Sequence, residues 1–141
     1  MTITSRHADR RRAVALLYEA DLRGDDPRSV LARSAEDEPV GSFTVTLVEG
    51  VTDRREELDA LIGRYARGWT IERMPIIDRN VLRVGLWELL ASQVPVAVAI
   101  DEAVELANEL STPDSGRFVN GILAEVWRSE RDLLATRADD D

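Results

Sequence analysis

The stretch from Ile77 to Leu90, IDRNVLRVGLWELL, constrains the fold more than any other part of the chain. Its apolar residues (Ile77, Val81, Leu82, Val84, Leu86, Trp87, Leu89 and Leu90) fall on more than one face of a helix. A helix apolar over most of its girth belongs in the middle of a bundle, covered on several sides. Gly85 within it would let a neighbouring helix approach closely. The rest of the chain must therefore supply covering helices, and its apolar spacing does so almost throughout.

Val14, Leu17, Tyr18 and Leu22 form an amphipathic stripe, predicting a helix that begins near Ala8 and stops at Gly24. Pro27 opens a short helix over about 28–35. Residues 36–41, with Pro39 and Gly41, read as a surface connection. Phe43, Leu47, Val51, Leu58, Ile62 and Tyr65 predict one long helix from Ser42, its N-cap, to Arg67, ended by Gly68. Gly50 and Gly63 inside it each cost about 1 kcal/mol of helix propensity, and either marks a close helix crossing. Trp69 to Pro75 is a short connection with room for one turn. Val94-Pro95 breaks the pattern, and from about Val98 a helix carries Ile100, Ala103, Val104, Ala107 and Leu110. Residues 111–116 form a turn-rich loop. The last helix, capped by Asp114 or Ser115, buries Phe118, Ile122, Leu123, Val126 and Trp127. Gly121 within it permits close packing, and Asn120 can bond a neighbouring backbone. Residues 138–141 are an acidic, frayed end. No strand alternation occurs. The class is all-α, a compact bundle of about seven helices, and a length of 141 residues is most simply a single domain, residues 1–141.

Several chemistries are excluded. The chain has no cysteine, so disulfides, zinc–thiolate sites and cysteine nucleophiles are absent. No apolar run approaches the ~20 residues that a membrane helix needs, and the charged start has no apolar signal core, so a soluble cytoplasmic protein is expected. A single histidine, His7, builds no Ser/His/acid set, and no glycine-rich phosphate loop occurs. Asp101, Glu102, Glu105 and Glu109 cluster at helical spacing. Carboxylate-bridged metal sites in bundles also want a histidine three residues after a glutamate, and none is present. The cluster reads as a solvated acidic face. No cofactor, no metal and no catalytic residue is expected.

Charge is unevenly placed. Residues 1–24 have a net charge of +2 in a chain whose total is −9. All 18 basic residues are arginine. Arg6, Arg10, Arg11 and Arg12 crowd the start of the first helix, where cations oppose the helix dipole. Arginine forks match phosphate geometry, which makes this cluster the first candidate for binding RNA or DNA; the plainer reading is a solvated helix start. A second candidate is Asp114 to Phe118. There the free N–H groups of a helix start, the cation of Arg117 and the ring of Phe118 could hold an unpaired base. Equally, Phe118 could be a core residue in register with Ile122. The third is the polar side of the 77–90 helix: Asp78, Arg79, Arg83 and Glu88. It reads as surface charge with local ion pairs of Asp78 to Arg79 or Arg83, or as a surface for a partner protein.

Four segments carry a family resemblance: RRAVALLYEADLRG at 11–24, DRNVLRVGLWEL at 78–89, VPVAVAIDEAVELANELS at 94–111 and DSGRFVNGILAEV at 114–126. In order and spacing they strongly resemble the bacterial transcription antitermination factor NusB, and the all-arginine composition is similar to actinobacterial members. The resemblance implies two packed helical subdomains, roughly 1–68 and 69–141. It implies binding of single-stranded boxA RNA from ribosomal RNA leaders together with NusE, a small-subunit ribosomal protein. It further implies association with other Nus factors and RNA polymerase, suppression of premature termination and help with ribosomal RNA maturation. On this resemblance the RNA-binding residues are Arg6, Arg10, Arg11, Arg12, Asp114, Arg117 and Phe118, and the surface for NusE is Asp78, Arg79 and Leu82. Some relatives form homodimers. NusB-like domains also precede ribosomal RNA methyltransferase domains, but the missing cofactor loop and cysteine argue against that enzyme here. A purely structural helical oligomer is the remaining alternative.

Overall fold

The computed structural model describes residues 5–130 and 132–134. The acidic end at 138–141 and the first four residues lie outside them. Among the described residues there is no strand, and seven α-helices are fully bounded: α1 (Arg6–Arg23), α2 (Pro27–Asp37), α3 (Ser42–Asp53), α4 (Arg55–Tyr65), α5 (Ile76–Ala91), α6 (Val96–Leu110) and α7 (Pro113–Ser129), with residues 132–134 helical after them. One 3-10 turn, Ile71–Arg73, fills the short connection before α5.

The helix α5 is the hub, packed against α1, α3, α4, α6 and α7. α1, α2 and α3 pack on one another, as do α5, α6 and α7. α1 runs antiparallel to α5: Arg10 meets Glu88 near one end, and Asp21 meets Asn80 and Arg83 near the other. Close approach is built in at two glycines. A Cβ on Gly85 would lie 2.9 Å from Leu123 of α7 and 3.2 Å from Ala103 of α6. One on Gly50 would lie 2.3 Å from the Trp87 ring. The expected crossing at Gly63 is not there, and neither is the close packing expected at Gly121, because both face open space. Asn120 is exposed.

Helix ends follow local chemistry. The Ser5 hydroxyl accepts the Ala8 N–H at 3.0 Å and caps α1. Gly24, at φ 71°, closes it with an N–H bond to the Ala20 carbonyl. The helix expected over 42–67 is two helices meeting at Arg54, whose φ of −114° and ψ of 19° are not helical. The break falls in the charged run from Asp53 to Glu57, where the apolar stripe skips from Val51 to Leu58 and no core contact holds a continuous helix. α3 is capped at Gly41 rather than Ser42. α6 starts directly after Pro95, and α7 at Pro113 with Thr112 as cap, earlier than Asp114 or Ser115. Leu22 is 60% exposed; Ala13, Leu16 and Ala20 complete the buried face of α1 instead.

Candidate functional site

The charged side of α5 is interior. Arg83 and Glu88 are each 1% exposed, and Asp78 and Asn80 are also buried. A helix covered on so many sides has no solvent face left for its polar positions, so they reach across to other helices. Arg83 grips Asp59 of α4 with both arms, Nε to Oδ1 at 2.7 Å and Nη2 to Oδ2 at 3.0 Å. Its remaining nitrogen donates to Asp21 of α1 at 2.7 Å and to Asn80 at 3.0 Å. Asp21 also accepts from Arg79, Asn80 and Arg55, each at 3.0 Å. Burial pushes the Asp21 carboxyl up. The hydrogen bonds of Asn80 and Arg79 and the charges of Arg83 and Arg55 outweigh it and hold the group below the ordinary carboxylate range.

This arrangement corrects the expected partner surface. Leu82 is fully buried and presents nothing to a second protein. Arg79 is committed to Asp21 and the Ile71 carbonyl. Asp78 accepts from the Ser115 hydroxyl at 2.7 Å, tying α5 to the start of α7. The expected local pairs of Asp78 with Arg79 or Arg83 do not form either, since both arginines turn to Asp21.

The arginine cluster at the start of α1 divides into two roles. Arg10 is 4% exposed and donates Nε–H to Glu88 Oε1 at 2.7 Å. Burial pushes the Glu88 carboxyl up while Arg10 pulls it down, with a net rise. Arg12 clamps the connection between α2 and α3, donating to the carbonyls of Pro39 at 2.6 Å and Glu38 at 3.1 Å and to the Ser34 hydroxyl at 2.9 Å. Both guanidiniums are committed to partners within the chain. Arg6 and Arg11 are exposed. Arg6 lies 4.0 Å over the ring of Phe43, and Arg11 reaches Glu109 of α6 at 3.1 Å. A groove of about 830 Å³ runs beside Arg6, floored by Phe43, Trp87 and Val98.

At the start of α7, Asp114 and Arg117 are 86% and 76% exposed and pair with each other. Phe118 is half-buried, 6.3 Å from the exposed ring of Trp69 with the planes tilted by 57°. Trp69, Pro75, Asp78, Asp114, Ser115 and Phe118 line a mostly apolar, open pocket of about 300 Å³. Asp78 Oδ1 is buried without a hydrogen-bond partner. The two candidate halves do not converge on one pocket. One sits by Glu88 and the other by Asp78, ten residues along α5, or about 15 Å at 1.5 Å per residue.

Three participants escaped the sequence reading. Trp69 read as part of a connection, yet its exposed ring stands beside that of Phe118. Phe43 read as core, and it carries Arg6. His7 read only as a single histidine that builds no catalytic set, and it meets the acidic stripe of α6: Nδ1 lies 2.7 Å from Glu102 and Nε2 2.9 Å from Glu109. The Glu102 hydrogen bond chiefly raises the imidazole above its ordinary range, against a smaller lowering by burial and with help from Glu109.

The chain matches the NusB family model over residues 7–128. It is 55% identical over 127 residues to the transcription antitermination protein NusB of Saccharopolyspora erythraea, covering 86% of each chain. It is 48% identical over 130 residues to that of Acidothermus cellulolyticus, covering 90% of each. Among solved structures it resembles T. maritima NusB at 32% identity with a TM-score of 0.82, covering 91% of this chain and 94% of that one. It also resembles a chain in a crystal structure of the antitermination factors NusB and NusE in complex with double-stranded RNA. There the identity is 26% and the TM-score 0.78, over 88% of this chain and 96% of that one.

Proposed function

We propose that this chain, which belongs to the NusB family, is a transcription antitermination factor, not an enzyme, that binds RNA together with NusE. The observation that carries the reading is the match across residues 7–128, joined to the similarity with a chain from a NusB–NusE–RNA complex. The finer ligand is boxA RNA of ribosomal RNA leaders, taken as a single strand. Through it the protein joins other Nus factors and RNA polymerase and supports ribosomal RNA transcription and maturation.

Within that reading the chain acts as one RNA-binding domain, with helical halves of roughly 1–68 and 69–141 seamed by α5. Arg6 and Arg11 meet phosphates, because they are the exposed members of the cluster. Arg10 and Arg12 serve indirectly, by holding α1 against Glu88 and the α2–α3 connection. Phe118, beside Trp69, offers a ring face to a base, and Asp114 and Arg117 border it. NusE approaches the rim around Asp78 rather than Leu82. An unpaired strand bridges the gap of about 15 Å along α5 between the Glu88 and Asp78 positions.

The decisive experiment is a titration of the chain, with and without NusE, against boxA RNA, a scrambled strand of equal length and a boxA duplex. Tighter binding of single-stranded boxA in the presence of NusE is expected, weakening steeply with salt. Equal affinity for the scrambled strand, with no gain from NusE, would overturn the reading. Preference for the duplex would retain RNA binding and remove the single-strand assignment.

A further inference from the structure

The start of α1 meets α6 through a set of side chains that the RNA reading does not use. His7, in the first turn of α1, faces Glu102, Glu105 and Glu109 of α6, which share one face at spacings of three and four. The imidazole Nδ1 is 2.7 Å from Glu102 Oε2, and Nε2 is 2.9 Å from Glu109 Oε1. Ligand atoms of His7, Glu105 and Glu109 all lie within 4.8 Å of one another. The second oxygen of Glu109 is held by Arg11 at 3.1 Å. Glu105 makes no hydrogen bond or ion pair among the described residues.

Carboxylates accept hydrogen bonds and do not donate them, whereas a neutral imidazole donates from one nitrogen. With Nδ1–H committed to Glu102, the Nε2 position faces a Glu109 oxygen, and either a second ring proton or a metal cation must stand between them. A histidine whose far nitrogen is tied to a carboxylate is the usual support of a metal-bound imidazole, because the bond fixes the tautomer and aims the free nitrogen. The spacing is within reach of such a centre: with bonds of about 2.1 Å, ligand atoms lie about 3 Å apart on adjacent corners of an octahedron and about 3.4 Å apart in a tetrahedron. The 2.9 Å between His7 Nε2 and Glu109 Oε1 is near the first value and has to open by about half an ångström for the second. Glu105, long and unpaired, has to turn inward to supply the third ligand. Imidazole with carboxylates suits zinc and its first-row neighbours and not magnesium, which seeks an all-oxygen shell.

We propose that His7, Glu105 and Glu109 bind one first-row divalent cation, such as Zn²⁺, with Glu102 holding the imidazole from behind and water completing the shell. The cation would staple the start of α1 to α6 beside Arg6 and Arg11. The sequence hid this site because its histidine lies 95 residues before the first glutamate that it meets.

His7 is the single histidine of the chain, so its imidazole resonances report on the site without assignment work. The full chain, with no affinity tag, is titrated with ZnCl₂ while the imidazole NMR signals and the melting temperature are followed. One equivalent is expected to shift the signals saturably and to raise the melting temperature, while MgCl₂ does neither. His7→Gln should abolish the binding, and Glu102→Gln should weaken it by about tenfold or more. Glu105→Gln should weaken it too, with helical content unchanged because the side chain is exposed. If about 1 mM Zn²⁺ leaves the imidazole signals in place, the contact is an imidazolium ion pair and the proposal fails. It fails equally if His7→Gln and Glu105→Gln bind zinc as the natural chain does.

Discussion

Arg10 Nε and Glu88 Oε1 lie 2.7 Å apart across 78 residues of sequence, with side chains 4% and 1% exposed. This pair joins the helix that carries the arginine cluster to the hub of the bundle. Breaking a buried ion pair from one side leaves the other charge uncompensated, which costs about 3–5 kcal/mol. Arg10→Ala or Glu88→Ala should therefore lower the urea-unfolding free energy by about that amount. Replacing both with apolar residues of similar volume should recover most of it. A loss below about 1 kcal/mol for either single variant would show the pair to be solvated.

Two glycines in one predicted helix should respond in opposite directions. Gly63 lies in α4 with nothing within 4 Å of an added Cβ, so Gly63→Ala should stabilise by about 0.5–1 kcal/mol through helix propensity alone. A Cβ on Gly50 would lie 2.3 Å from the Trp87 indole, so Gly50→Ala should destabilise by about 1–3 kcal/mol as the ring is displaced. Tryptophan fluorescence should change in Gly50→Ala and not in Gly63→Ala.

Acid should act through Asp21. Its folded pKa lies below the unfolded value of about 3.9, so between the two the unfolded chain binds more protons. The stabilisation by Arg79, Arg83 and Arg55 is thus fully present above the unfolded pKa and is lost as pH falls through the folded one. Asp21→Asn should be less stable than the natural chain at neutral pH. It should show a shallower loss of stability below pH about 4, as followed by circular dichroism. Parallel acid limbs for the two proteins would remove Asp21 from the network.

What the sequence made legible was periodicity, and periodicity carried the class, the hub helix and most helix boundaries. It failed where a residue's role depends on what it meets from far along the chain. Arg10 and Arg12 belong to the same basic run as Arg6 and Arg11, and nothing local says that Glu88 buries the first while the Pro39 and Glu38 carbonyls hold the second. Asp78, Arg83 and Glu88 look solvent-facing on a helical wheel, although the apolar girth of α5 already meant that few of its positions could reach water. The charged run at 53–57 was the visible sign that the long third helix divides. Leu22 went the other way: it fits the stripe, but α1 turns it outward.

Arg12 should behave as a clamp. Removing three hydrogen bonds to Ser34, Glu38 and Pro39 leaves two carbonyls and a hydroxyl to water and frees the connection before α3. Arg12→Ala should lose about 1–3 kcal/mol, with faster amide exchange confined mainly to 34–45. Exchange that speeds up uniformly would point to global destabilisation instead.

The division within the arginine cluster can be read from salt dependence. Each phosphate neutralised on a single strand contributes about 0.7, close to one unit, to the slope of log affinity against log salt. Arg6 and Arg11 are exposed, whereas Arg10 is buried against Glu88. Anisotropy titrations with boxA RNA and NusE at several salt concentrations should give Arg11→Ala a slope reduced by about one. The Arg6→Ala loss should be similar, with Phe43 left uncovered. Arg10→Ala, once corrected to its folded fraction, should keep the natural slope, because its guanidinium has no phosphate to release counterions from. A reduced slope for Arg10→Ala at full folding would mean that Glu88 yields Arg10 to the RNA. The buried pair would then be a latch that opens on binding.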